Sequence, residues 1–315
     1  MTRERRSSVA PVNTSSELFA TGDPAGSVAE GGTIEYTVLD VFATTPLDGN
    51  QLAVFADGRG LSAEEMQRIA RELNLSETVF LLPPEAEGDA RIRIFTPTSE
   101  LPFAGHPVLG TAFVVADALG TGSVKLETAS GPVPVEITRD GARLVFGRMR
   151  QPIPEIEPYG RAAELLQALG VAASLLPVEA YRNGPQHVFV MLGSEAEVAA
   201  VRPDFSALGD HAGVGANCFA KADDHWKTRM FAPSLGVNED PATGSAAGPL
   251  ALHLARHGQI AFGDEIEIRQ GTEIARPSVL RARATGNANA VERVEVGGSA
   301  VVVARGHYLV RSARH

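Results

Sequence analysis

Arg93-Ile94-Phe95-Thr96-Pro97 is echoed by Arg229-Met230-Phe231-Ala232-Pro233, and Glu100-Leu101-Pro102-Phe103-Ala104-Gly105 by Glu239-Asp240-Pro241-Ala242-Thr243-Gly244. Arg, Phe, Pro, Glu, Pro and Gly recur in the same order. Two residues separate the blocks in the first copy and five in the second, three more. Each copy runs into an apolar stretch, 108–119 and 246–254. Chance agreement of this kind is improbable, so the chain is expected to be two halves built on one plan. Both apolar stretches are hydrophobic nearly all round, which predicts a helix buried at the centre of each half.

Outward from the repeat, residues 36–42 (Tyr-Thr-Val-Leu-Asp-Val-Phe) have the β-branched and aromatic content of a strand. Residues 61–74 predict a helix, with Ser62 and Glu65 at capping-box spacing and Met66, Ile69, Ala70 and Leu73 on one face. Further strands are expected at 75–82, 123–128, 133–138, 143–146, 187–192 and 300–304. Prolines in Gln151-Pro152-Ile153-Pro154 mark the join, giving halves over 34–150 and 151–315. Residues 1–33 are rich in Ser, Thr, Gly and Ala without hydrophobic period and read as a disordered extension. Its arginines are not followed by an apolar signal core.

The 315 residues are 44% hydrophobic, enough for two cores, and carry a formal net charge of -10. Such a chain repels phosphate backbones and anionic lipid, so neither nucleic acid nor membrane is an expected partner. The single cysteine, Cys218, excludes an internal disulfide and a thiolate zinc cage. It fits a reducing cytoplasm and reads as a buried, inert thiol.

Both central helices open on small or hydrogen-bonding residues, Gly105-His106-Pro107 and Thr243-Gly244-Ser245. Two helix N-termini facing one cleft would hold a substrate carboxylate on free backbone N–H groups. The competing reading is that the glycines only permit tight turns. Glu77, alone among apolar residues in Leu75-Ser-Glu-Thr-Val-Phe-Leu-Leu, is either solvent-facing or desolvated with a raised pKa. The second condition is what a general acid/base needs. Asp240 and His106 would lie near Glu77 if the halves face one another; Asp240 as a plain helix cap is the alternative. His253 and His257 have the spacing of a zinc pair, but Leu254 stands where a metalloprotease glutamate would be. They read as last-turn histidines favoured by the helix dipole, and no metal site is expected.

Asn74-Leu-Ser-Glu77, Phe103-Ala-Gly-His-Pro107 and Glu239-Asp-Pro-Ala-Thr-Gly-Ser-Ala246, in that order, resemble the PhzF-type phenazine biosynthesis proteins. The resemblance runs from about residue 34 to 310. It implies an α+β fold, the duplicated diaminopimelate epimerase-like fold, in which each of two domains is a barrel-like sheet curved around a central apolar helix. It implies a homodimer without cofactor that isomerises an unsaturated ring carboxylic acid in phenazine biosynthesis. Glu77 matches the catalytic glutamate. Ser76, His106, Asp240 and Ser245 match substrate-contacting polar residues, and Gly105 and Gly244 the carboxylate-binding backbone. Ala104 and Ala242 stand where the epimerase's two catalytic cysteines are expected, so two-thiol racemisation is excluded. Two other readings are a related isomerase acting on another ring acid, and a non-catalytic small-acid binding protein.

Overall fold

The computed structural model describes residues 18–19 and 32–310. The first half contains β1 (Thr33–Val41), β2 (Asn50–Phe55), α1 (Ala63–Leu73), β3 (Glu77–Leu82), β4 (Ala90–Phe95) and β5 (Glu100–Leu101). It continues with α2 (Gly105–Leu119), β6 (Ser123–Thr128), β7 (Gly131–Asp140) and β8 (Arg143–Gln151). The second half opens with β9 (Glu155–Pro158), α3 (Ala162–Leu169), β10 (Glu179–Arg182), β11 (Gln186–Met191), α4 (Glu195–Ala200) and α5 (Phe205–Gly209). Next come β12 (Val214–Lys221), β13 (Trp226–Ala232), β14 (Val237–Asp240), α6 (Gly244–Arg256), β15 (Glu265–Gln270), β16 (Ser278–Asn287), β17 (Ala290–Gly298) and β18 (Ala300–Leu309).

Strand pairing repeats step for step. β2 lies parallel to β3, β3 antiparallel to β4, β4 parallel to β6, and β6, β7 and β8 follow antiparallel. In the second half β11 is parallel to β12, β12 antiparallel to β13, β13 parallel to β15, and β15, β16 and β17 follow antiparallel. The first sheet curls round α2, which packs on β1, β2, β3, β6, β7 and β8; the second curls round α6, packed on β11, β15, β16 and β17. This is the curved-sheet α+β architecture the resemblance implies. Each helix can be apolar on every side because sheet surrounds it. Eleven of the fifteen α2 residues are buried.

The repeated motif residues have a common mechanical role. Arg93 forks onto Glu100 across the β4–β5 hairpin, at 2.7 and 2.6 Å, and Arg229 forks onto Glu239 across β13–β14, at 2.8 and 2.8 Å. The same guanidinium groups lie over Phe95 at 5.2 Å and Phe231 at 4.9 Å. Each brace holds the hairpin that leads into a central helix, fixing where that helix starts.

The halves join where β8 pairs antiparallel with β17. One strand also changes sides: β9 stays with its own half by pairing with β10, but β18 returns to pair with β1 from Thr33↔Leu309 to Val41↔Ala300. A division at residue 150 therefore separates the sequence copies but not the sheets, because 300–309 belongs to the first. Strand periodicity names a strand, never its partner, so this could not be read in advance.

The extension expected over 1–33 lies mostly outside the described residues. Phe19 is an exception to its expected disorder: the ring is buried against the first core, with the Arg59 guanidinium 5.9 Å from its centroid. Burying one aromatic ring stabilises by about 2 kcal/mol. Among the described residues no helix is long and apolar enough to cross a membrane.

Candidate active site

The N-termini of α2 and α6 meet head to head. A Cβ on Gly105 would stand 2.6 Å from the backbone of both Gly244 and Ser245, and one on Gly244 would stand 3.1 Å from the His106 nitrogen. Close approach of the two backbones demands glycine at 105, while at 244 a Cβ would crowd both the Phe42 ring, at 3.0 Å, and the His106 nitrogen. Neither helix has a side-chain cap or an acidic residue in its first turn. Two positive dipole ends, each about half a charge, are thus pressed together over a cavity and are best neutralised by an anion from outside the helices.

That cavity, about 320 Å³, is lined by Glu77, His106, Asp240, Gly105, Gly244 and Ser245, with apolar walls that include Phe103, Met230 and Leu235. Leu235 belongs to the short turn Pro233–Leu235, which is where the three extra residues of the second copy fall. Volume and lining suit a single-ring acid.

Glu77 is the first residue of β3, and its side chain is 13% exposed. Burial, reinforced by the nearby Asp240 carboxylate, holds its pKa well above the usual range. Of the two environments open to Glu77 from sequence, the structure shows the desolvated one. Its Oε2 stands 3.1 Å from His106 Nε2. The contact is not aligned as a hydrogen bond, and among the described residues neither atom has another partner. Both are therefore available to a bound molecule.

Burial pushes the His106 imidazole down to about 3, against the opposing pull of the Gln51 carbonyl, so the ring is neutral at working pH. Asn50 Nδ2 reaches His106 Nδ1 at 3.2 Å, but its shorter contacts are to Asp240 Oδ1 at 2.8 Å and the Ala242 carbonyl at 3.0 Å. Two amide hydrogens serve those two acceptors. This leaves the His106 proton on Nδ1, toward Gln51, and a lone pair on Nε2 facing Glu77. Asp240 accepts from Thr243 Oγ1 at 2.6 Å as well as from Asn50. Burial still lifts its pKa to about 6.

The start of α6 is pinned from outside. Pro249 has no N–H to give the Ser245 carbonyl four residues back, and Asn183 Nδ2 donates to that oxygen instead, at 3.1 Å. Gln151 Nε2 donates to the Gly244 carbonyl at 2.8 Å, passing where a Cβ on Gly248 would collide with its amide. His187 Nε2 lies 2.9 Å from Ser245 Oγ.

The structure thus gathers Glu77, Gly105, His106, Asp240, Gly244 and Ser245 around one cavity. Ser76 is not among them: it sits half-buried in the bend before β3 and does not line the cavity. Successive strand residues point to opposite faces, so a neighbour of an inward Glu77 turns away. Sequence reading missed Asn50, Asn183, His187 and Gln151. Cys218 is buried with its thiol pushed up to about 12 by burial, an inert group as expected. His253 and His257 do more than end a helix. With Tyr181 and Arg256 they converge on Glu179 Oε2, at 3.3, 2.9, 3.0 and 2.9 Å. Burial works upward on that carboxyl, but His253, His257 and Arg256 outweigh it and hold Glu179 well below the usual range. Arg256 supplies the positive charge there, and the cluster ties β10 to α6.

Residues 39–306 match the family described as PhzC-PhzF, phenazine biosynthesis-like protein. The chain belongs to this family. A relative from Pseudomonas aeruginosa named trans-2,3-dihydro-3-hydroxyanthranilate isomerase is 55% identical over 271 residues, covering 86% of this chain and 98% of that protein. The crystal structure of a PhzF-family phenazine biosynthesis protein from Bacillus anthracis matches with a TM-score of 0.76 at 26% identity, over 88% of this chain and 99% of its own. A hydroxyproline epimerase from Agrobacterium vitis shares the fold alone, with a TM-score of 0.64 at 13% identity over 89% of this chain and 94% of its own.

Proposed function

We propose that the protein is an isomerase of trans-2,3-dihydro-3-hydroxyanthranilate in phenazine biosynthesis, with Glu77 as its acid/base. The observation that carries this reading is a buried, high-pKa carboxyl 3.1 Å from a neutral histidine, beside two converging helix N-termini. The substrate carboxylate sits on the N–H groups of Gly105 and Gly244 and on Ser245. Glu77, as carboxylate, takes the proton from the hydroxyl-bearing ring carbon, and the diene spreads the resulting charge toward the carboxyl group. There the helix ends bind it more strongly than in the ground state, which lowers the barrier. Glu77 returns the proton at the carboxyl-bearing carbon. The enol so formed collapses to the amino-ketone 6-amino-5-oxocyclohex-2-ene-1-carboxylate. His106 and Asp240 hold the hydroxyl and amino substituents beside Glu77. Two protons change place, one from carbon to carbon through Glu77 and one from the enol oxygen to the ring carbon beside it, and no net oxidation occurs, so acid/base groups suffice.

A raised pKa serves both half-steps, because the carboxylate is a stronger base and the acid is still a ready donor near neutrality. The homodimer implied by the family resemblance belongs to the same reading and is checked by light scattering on the purified chain. The decisive assay follows the substrate's diene absorbance in deuterated water, without added cofactor. Wild type consumes the compound, while Glu77→Gln turns over about 10²–10⁴-fold more slowly and still binds it. Binding without consumption by wild type would transfer the assignment to another ring acid. No binding at all would favour a small-acid binding protein.

A further inference from the structure

His187 lies outside the machinery just described, yet it lines the same cavity and is only 2% exposed. Burial lowers its pKa to about 3, so the ring is neutral. One nitrogen, Nε2, lies 2.9 Å from Ser245 Oγ. The other, Nδ1, is buried and has no partner among the described residues. It faces a gap left by Gly215, where a Cβ would come within 3.0 Å of it, and Gly215 also lines the cavity.

The tautomer follows from Ser245. An anion at the start of α6 needs donors, and the single serine hydrogen is left to that anion when His187 Nε2 carries a proton, since a bare Nε2 would compete for the same hydrogen. His187 Nε2–H is that donor. The imidazole proton then resides on Nε2, and Nδ1 is left as a bare acceptor in a desolvated place. Such an acceptor is costly until a donor arrives. Asp240 is poorly placed to be the only acceptor for a substrate amine, since Asn50 and Thr243 already occupy one lone pair on each of its oxygens.

We propose that His187 is a specificity-determining residue: through Ser245 it orients the carboxylate donor, and through Nδ1 it accepts a hydrogen bond from an amino group on the ring carbon next to the carboxyl-bearing one. This rests on the reading of the site given above, and it explains how that site tells an amino acid of this shape from the same ring acid without nitrogen.

Two unreactive aromatic acids test it, 3-hydroxyanthranilate and 3-hydroxybenzoate, which differ only in the amino group. Calorimetry on wild type is expected to show about tenfold tighter binding of the amino compound, the loss of one buried hydrogen bond. In His187→Gln the amide nitrogen replaces Nε2 and nothing replaces Nδ1. The preference falls to about twofold or less, while affinity for 3-hydroxybenzoate stays near wild type. A preference retained in that variant overturns the proposal, as does an equal loss for both acids. If the variant does not fold by its melting curve, wild type labelled with nitrogen-15 in histidine decides instead. The lone-pair nitrogen signal of His187, identified by its absence in His187→Asn, should move with 3-hydroxyanthranilate and not with 3-hydroxybenzoate; equal movement or none overturns it. Failure of wild type to consume trans-2,3-dihydro-3-hydroxyanthranilate would be a failure of the isomerase reading, a separate outcome.

Discussion

Glu77 is kept where water scarcely reaches, and this has a thermodynamic sign. Its folded pKa is raised above the unfolded value near 4.5, so between the two values the folded chain holds more protons than the unfolded one. Stability contributed by this group is then lost as pH rises through that window. Asp240 acts in the same direction, from 3.8 to about 6. Glu77→Gln removes the penalty at one site, so its melting temperature is expected to exceed that of wild type, by a margin that widens from pH 5 to pH 8. A margin that shrinks over that range would mean that Glu77 is not desolvated. Glu77 was legible as the lone acid of an apolar strand, and His106 and Asp240 through the repeat. Asn50 was not, because Asp48-Gly49-Asn50 carries turn chemistry that hides any second use of its amide, and Gly49 indeed has a φ of 69°. His187 gave no signal, since a histidine in a strand is ordinary until its ring nitrogens have neighbours.

The repeated hairpin is the element that sequence revealed most fully, and the structure explains which of its letters persist. Arg and Glu form the fork, Phe lies under the guanidinium, and Gly permits the helix ends to touch. The two forks differ in burial. Arg93 and Glu100 are 25% and 39% exposed, whereas Arg229 and Glu239 are 7% and 9% exposed. Equal chemistry in unequal surroundings predicts unequal cost. Glu100→Ala should lower unfolding free energy by under about 1 kcal/mol. Glu239→Ala, which strands a buried guanidinium, should lower it by about 3–5 kcal/mol; urea titration of both variants checks the ratio. Helix α1 was also legible, because Ser62 and Glu65 form both bonds of the capping box and Asn74 closes the helix in the left-handed region. Strand limits were less so: the strand expected at 143–146 extends through Gln151, and that expected at 300–304 through Leu309. Beyond Phe146 the inward positions carry Gly147 and Met149 between arginines, a pattern weaker in hydrophobic contrast than the strand itself.

At the scale of the whole molecule, the two halves are fastened by the β8–β17 seam and by β18, which leaves the second half to pair with β1. The first sheet is incomplete on its own stretch of chain. Unfolding by urea is therefore expected to be a single transition. Fluorescence of Trp226, the only tryptophan, reports the second half, while far-ultraviolet circular dichroism reports both. The two curves should coincide; a fluorescence midpoint displaced from the dichroism midpoint would show that the halves come apart independently.

The return of β18 also sets an order of events during synthesis. A protein emerges from the ribosome N-terminus first, and early domains commonly fold while later ones are still being made. Here the strand that covers β1 is translated after every strand of the second half. The first half must wait with an open edge until β18 has emerged, a period in which a strand-binding chaperone would have its best chance to act.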